Sequence, residues 1–234
     1  MKTLARATPP ASVAVGLELR AARLKAKFGV RELARRAAVN PAQVSGWELG
    51  ERVPSPDRVS FLAGLLRLPM TEYRRLRQLA ADARRADHVE PDQDAAARLT
   101  NAYERMASHI AEWAPAGLPD RLQGPGSNIQ ATRDLFVSRK TILAEHRHLL
   151  WHLGEGVRLV TTEEHDLPAF TVYQIDGKTP TVALRHAHCN VYLTSDLATA
   201  AYIRAIQRFS HEALSPTETA DAIGTAVCDL RVSR

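Results

Sequence analysis

Asn40-Pro41 opens, and Gly50 closes, a segment with few alternatives to a short helix. An asparagine side chain accepts from the free N–H groups of the turn it starts. Proline suits the first helical position because its missing N–H would go unpaired there. Gly50 is placed to end the helix, and Val44 and Trp47 fall three apart on one side of it. Upstream, Glu32-Leu33-Ala34 and Ala37 give a second short segment an apolar face. Two helices of this length with a three- or four-residue connection form a helix-turn-helix, whose second helix can enter the major groove of DNA.

The charge supports that direction. Residues 1–86 hold 17 of the 31 Lys and Arg but only 7 of the 26 Asp and Glu, a net of +10. The rest carries 14 basic and 19 acidic residues, a net of −5. Such asymmetry suggests that one part meets a polyanion and the other does not. With 45% hydrophobic residues the chain can build real cores. No apolar run approaches the roughly 20 residues of a membrane span. The opening MKTLARATPPAS lacks the apolar stretch of a secretory signal, so the cytoplasm, at the nucleoid, is the expected address. Cys189 and Cys228 are expected as reduced thiols.

Residues 1–12 read as a disordered arm. A helix follows over about 12–27, with Val15, Leu19, Ala22 and Ala26 on one stripe and Phe28 packing beneath the next helix. After Gly50 the spacing predicts a fourth helix over 57–67, capped by Asp57, and a fifth from Pro69. Together these give a helix-turn-helix domain over 13–82. The acidic stretch ADHVEPDQDA falls in a predicted linker, 83–95. Beyond it come a helix over 96–112, a loop and a long helix over 129–153. β-rich runs at 157–161, 169–175, 181–186 and 190–194 follow, with Asp176-Gly177 as a hairpin turn. Helices at 195–212 and 216–229 open with Ser195-Asp196 and Ser215-Pro216. The expected fold is mainly α: five N-terminal helices, then an α+β domain over 96–234 with a small antiparallel sheet. No internal repeat is visible.

Gly16, Leu19-Arg20, Arg23, Glu32-Leu33-Ala34, Val39, Val44-Ser45, Trp47-Glu48, Gly50, Arg52 and Pro54 together resemble the XRE-type (Cro/CI-like) regulators. That family implies a lambda-repressor-like DNA-binding domain. Tyr103-Glu104-Arg105, Trp113, Pro115, Gly117-Leu118-Pro119, Leu122-Gln123 and the ALSPTET segment at 213–219 are similar to the domain that actinobacterial members carry behind it. Those members are transcriptional regulators, often of development or antibiotic production, and are frequently encoded beside a small partner protein.

Carried over by position, the resemblance places Asn40, Pro41, Ala42, Gln43, Ser45 and Gly46 at base edges. Gln43 can pair bidentately with adenine, and Ala42 can meet a thymine methyl, while Asn40 is taken up mainly by capping. Gly46 departs from the long polar side chain many relatives have, so it removes a base-reading group and is expected to permit a close approach. Arg31, Arg35, Arg36, Lys27 and Arg52 are the phosphate candidates. Gly29-Val30 replaces the usual Ser-Gln, leaving backbone N–H groups that can bind a phosphate. Trp47 is read as core. One recognition helix covers few base pairs, so a homodimer on a palindromic operator is expected, paired through the C-terminal domain.

Three rivals stand beside this reading. His148 and His152, with His146, have metal-ligand spacing, and His186, His188 and Cys189 form a second cluster, but neither has a third ligand at a recognisable spacing. Glu163, Glu164 and Asp166 read as a solvated loop run. No phosphate loop, nucleophile elbow or Cys-x-x-Cys appears, so no enzyme, cofactor or metal is expected. The second rival is an antitoxin-like, partner-binding module whose DNA binding is mainly autoregulatory. The third makes 96–234 a small-molecule sensor.

Overall fold

The computed structural model describes residues 9–83, 85, 87–90, 93–118, 133–142, 149, 156–161, 167–186 and 189–232. The chain divides into two compact units, one of residues up to 105 with 177–179 and 186–195, the other of 106–176, 180–185 and 196 onward.

In the first unit, α1 (Pro10–Lys25), α2 (Val30–Arg36), α3 (Pro41–Glu48), α4 (Pro56–Leu65) and α5 (Met70–Asp82) surround one core. Val15, Leu19 and Ala22 of α1 meet Leu33 and Ala34 of α2, Val44 and Trp47 of α3, and Val59, Leu62 and Leu76 from the last two helices. The predicted stripe on α1 therefore is the buried one. α1 starts earlier than the sequence suggested: residues 10–12, expected in the arm, are helical and buried. Ser55, rather than Asp57, caps α4, its Oγ accepting from the Arg58 N–H at 3.3 Å. Asp57 sits in the first turn, where a carboxylate favours the helix dipole.

Residues 83–95, expected as a linker, carry the strand β1 (His88–Glu90) and the start of α6 (Gln93–Met106). β1 pairs antiparallel with β7 (Asn190–Leu193). Tyr103 of α6 stacks on Tyr192 of β7 at 5.6 Å, and the Thr100 and Tyr192 hydroxyls lie 3.0 Å apart.

In the second unit, β2 (His109–Ala114), β3 (Arg133–Val137), β4 (Val157–Leu159), β5 (Phe170–Gln174) and β6 (Thr181–Arg185) lie in the order β6-β5-β2-β3-β4. β2, β3 and β4 are mutually parallel, while β5 runs antiparallel to both β2 and β6. The expected small antiparallel sheet is thus corrected: seven strands are described, and their pairing is mixed. β2 lies where the helix over 96–112 and the following loop were expected, and β3 lies inside the predicted helix over 129–153. Both strands are buried on both faces, from Ile110 to Ala114 and from Leu135 to Val137. Doubly covered strands lose the alternation that marks a strand in sequence. Leu135 and Ile142 are buried as expected.

The four β-rich runs do become β4 to β7, and the hairpin turns at Asp176-Gly177 with Gly177 at φ +69. α7 (Asp196–Glu212) and α8 (Pro216–Val232) close the chain. Ser215 and Glu218 form a reciprocal cap on α8, at 3.3 and 2.9 Å. Trp113 of β2 packs on Phe209 of α7 at 4.5 Å, and Phe209 lies 5.9 Å from Phe136 of β3.

Candidate nucleic-acid interface

α2 and α3 meet through Ala37–Asn40, and three interactions fix the angle between them. Ala38 is held at φ +50, a left-handed conformation that costs an alanine about 1–2 kcal/mol. The Val39 N–H nevertheless donates to the Ala34 carbonyl at 3.0 Å, closing the turn. From α4, Arg58 Nη1 reaches across to donate to the Ala37 carbonyl at 2.8 Å. Asn40 Oδ1 then accepts from the Ala42 N–H at 2.8 Å, and Gln43 Oε1 accepts from the Asn40 N–H at 3.3 Å. The start of α3 is therefore capped reciprocally.

The rear of α3 is clamped to α1. Arg23 donates from Nε to Glu48 Oε1 at 2.6 Å and from Nη2 to Oε2 at 2.8 Å. Its Nη1 donates to the Phe28 carbonyl at 2.8 Å. Both side chains of the pair are over nine-tenths buried, at 9% and 8% exposure. The bond to Glu48 lifts the Arg23 pKa above its ordinary value, against the opposing effect of burial. At Gly16 a Cβ would lie 2.6 Å from the Glu48 carbonyl oxygen and 2.7 Å from that of Trp47. At Gly50, φ is +70 and a Cβ would meet Val13 Cα at 2.9 Å. Both glycines let α1 and the end of α3 touch backbone to backbone.

This scaffold brings Asn40, Pro41, Ala42 and Gln43 together on one exposed tip. Ser45 is half-buried behind them, and Val44 and Trp47 face the core. Gly46 is buried within α3. A Cβ there would find Arg52 Cδ at 3.8 Å and Glu51 Oε2 at 3.9 Å, ordinary contact distances. Among the described residues no close approach requires a glycine at that position.

The five cationic candidates separate into two groups. Lys27, Arg31 and Arg52 are exposed, with no ion pair among the described residues. Arg35 and Arg36 share one carboxylate: Glu32 Oε2 accepts from Arg35 Nη2 at 2.7 Å, and Oε1 from Arg36 Nε at 2.6 Å. Those two hydrogen bonds hold the Glu32 pKa below the usual carboxylate range. The Arg36 guanidinium also lies 4.6 Å over the Phe28 ring. Gly29 starts α2 without a side-chain cap, so its first N–H groups remain available to an anion.

Glu32, Arg58 and the Arg23–Glu48 pair were not singled out by sequence reasoning as parts of the site. For Glu32 the signal existed, since partners at i+3 and i+4 face one another on a helix. Arg23 and Glu48 stand 25 residues apart, and no spacing rule joins them. A cavity of about 690 Å³ lies at the ends of α1 and α4, walled by Phe28, Leu65, Leu68, Lys25, Arg36 and Arg67 among others, away from the α3 tip. His146, His148, His152, His188, Glu163, Glu164 and Asp166 lie outside the described residues. Among the described residues no group of three potential metal ligands occurs. His186 donates its backbone N–H to the Cys189 carbonyl at 3.0 Å.

Residues 19–73, from within α1 into α5, match a family model described as helix-turn-helix. No curated protein and no solved structure matches the chain.

Proposed function

We propose that this chain is a sequence-specific DNA-binding transcription regulator of the XRE (Cro/CI-like) type, from the actinobacterial group it resembles. It works as a dimer on a palindromic operator, reading it through the helix that starts at Pro41. The observation that carries this reading is the α3 tip: a reciprocally capped, exposed helix start in a unit where Lys27, Arg31 and Arg52 are also exposed, with no ion pair among the described residues. The helix-turn-helix match over residues 19–73 supports it. Asn40, Pro41, Ala42 and Gln43 form the base-facing set, with half-buried Ser45 and buried Gly46 behind them, while Lys27, Arg31 and Arg52 grip phosphates. The protein is not an enzyme and uses no cofactor. Its second unit serves pairing, or binds a ligand or a small partner protein. Among the described residues no helix is long and apolar enough to cross a membrane, which fits a protein acting at the nucleoid in the cytoplasm.

Selection from a random duplex pool at low ionic strength, followed by titration of the selected site, tests the proposal. Gln43→Ala is expected to cost about 1–3 kcal/mol at one base position. Arg31→Ala is expected to weaken binding on every sequence and lower the salt slope by about 1. A purified protein that retains no duplex would refute the reading.

A further inference from the structure

Of the five cations around α2 and α3, two are already engaged by the same acid. Glu32 lies one turn before Arg35 and Arg36, and each of its oxygens accepts from one guanidinium, at 2.7 and 2.6 Å. Both arginines are exposed, at 76% and 49%, and Glu32 itself is one-third exposed, so the whole triad is on the surface of α2. Arg36 is further restrained by the Phe28 ring beneath it. A phosphate approaching this face meets a carboxylate that already takes one nitrogen of each guanidinium and offsets their charge, while their other N–H donors stay open. That negative charge stays within a Debye length of the DNA backbone.

We propose that Glu32 is an electrostatic brake on DNA binding: it offsets the charge of Arg35 and Arg36 toward phosphate and thereby lowers the sequence-independent part of the affinity. The inference rests on the reading of α2–α3 as the DNA-binding element. The brake lowers the hold on every duplex alike, so less of the protein is taken up by non-operator DNA at a given salt. Lys27, Arg31 and Arg52, which have no such partner among the described residues, supply most of the phosphate contacts of the resting protein. Arg35 and Arg36 contribute less than their charge would allow, because Glu32 offsets it.

The test compares the full chain with Glu32→Gln, which keeps the shape and removes the charge, on the selected duplex and on a random one across a salt series. Glu32→Gln is expected to bind both duplexes about 3- to 10-fold tighter near 0.1 M salt. Each arginine freed should steepen the dependence of log K on log salt by about 0.9. Adding Arg35→Ala to Glu32→Gln should reverse part of the gain. A second comparison needs no change at Glu32: in the native background Arg35→Ala should flatten the salt slope by much less than Arg31→Ala does. Unchanged or weaker binding by Glu32→Gln would overturn the brake, as would a loss confined to one base pair, which would mark Glu32 as a base reader. Equal slopes for Arg35→Ala and Arg31→Ala would also overturn it. If native protein binds DNA and these results fail, only the brake falls. If neither protein binds any duplex, the DNA-binding reading falls with it.

Discussion

The α1–α5 region and the sheet of the second unit are held together in different ways. Around α3, orientation depends on a few directed polar bonds. These are the Arg23–Glu48 fork, the Arg58 bond to Ala37 and the Asn40–Gln43 cap, set in a core that is mostly aliphatic apart from Trp47. In the second unit, strands far apart in sequence are joined by backbone pairing, as in Ala111 opposite Val172 and Glu112 opposite Leu135. Large aromatic side chains then cover them. Directed bonds fix an angle, whereas apolar area fixes only a volume. The region expected to present side chains to DNA is the one built with angles.

The contrast breaks most readily at Glu48. Glu48→Gln leaves Arg23 buried without its counter-charge, and truncating such a pair costs about 3–5 kcal/mol. Chemical denaturation should show that loss, and DNA binding should fall with it. Replacing both residues by apolar groups of similar volume should restore stability without restoring affinity. Trp113→Ala should cost the second unit a similar amount, about 3–5 kcal/mol, because the indole is 2% exposed and packed on Phe209. Binding to a duplex carrying only one half-site, where pairing plays no part, should then be unchanged. Loss of binding equal to that of Glu48→Gln would erase the distinction between the regions.

Two glycine exchanges sharpen it on a smaller scale. Ala38→Gly relieves the left-handed turn and should stabilise the first unit by about 1 kcal/mol. Gly46→Ala adds helix propensity worth about 1 kcal/mol where the neighbouring atoms leave room. Thermal unfolding reads both, and a gain from Gly46→Ala with altered DNA binding would show that the bare position serves the duplex. The smallest effect concerns His88 on β1. Burial lowers its pKa below the ordinary value, although Asp82 pulls the other way. Neutral His88 therefore suits the folded state, and the unfolded chain binds the proton more readily. Stability should decline as pH falls below the ordinary histidine range, about 6.5, and His88→Gln should flatten that decline.

The five N-terminal helices and the cap on α3 were legible because their causes are local, whereas the α4 cap was placed two residues late. Pro41, Asn40 and the Val15–Leu19–Ala22 stripe act within a turn or two of themselves. β2 and β3 were hidden because Ile110–Ala114 and Leu135–Val137 are covered on both faces, and because parallel pairing leaves no hairpin signature. The same limit applied within the site. The exposed tip could be read from its sequence, but the Arg23 and Arg58 side chains that aim it come from α1 and α4.

Gly16 has a consequence for how such a protein can change its preferences. With carbonyl oxygens 2.6 and 2.7 Å from where a Cβ would sit, the back of α3 has no slack. A displacement of about 1 Å there would swing the far end of an eight-residue rod, about 12 Å long, through roughly 5°. If α3 reads DNA as proposed, exchanges at positions 42 and 43 would rewrite what is recognised, while position 16 would stay the fixed pivot from which every such rewriting inherits its alignment.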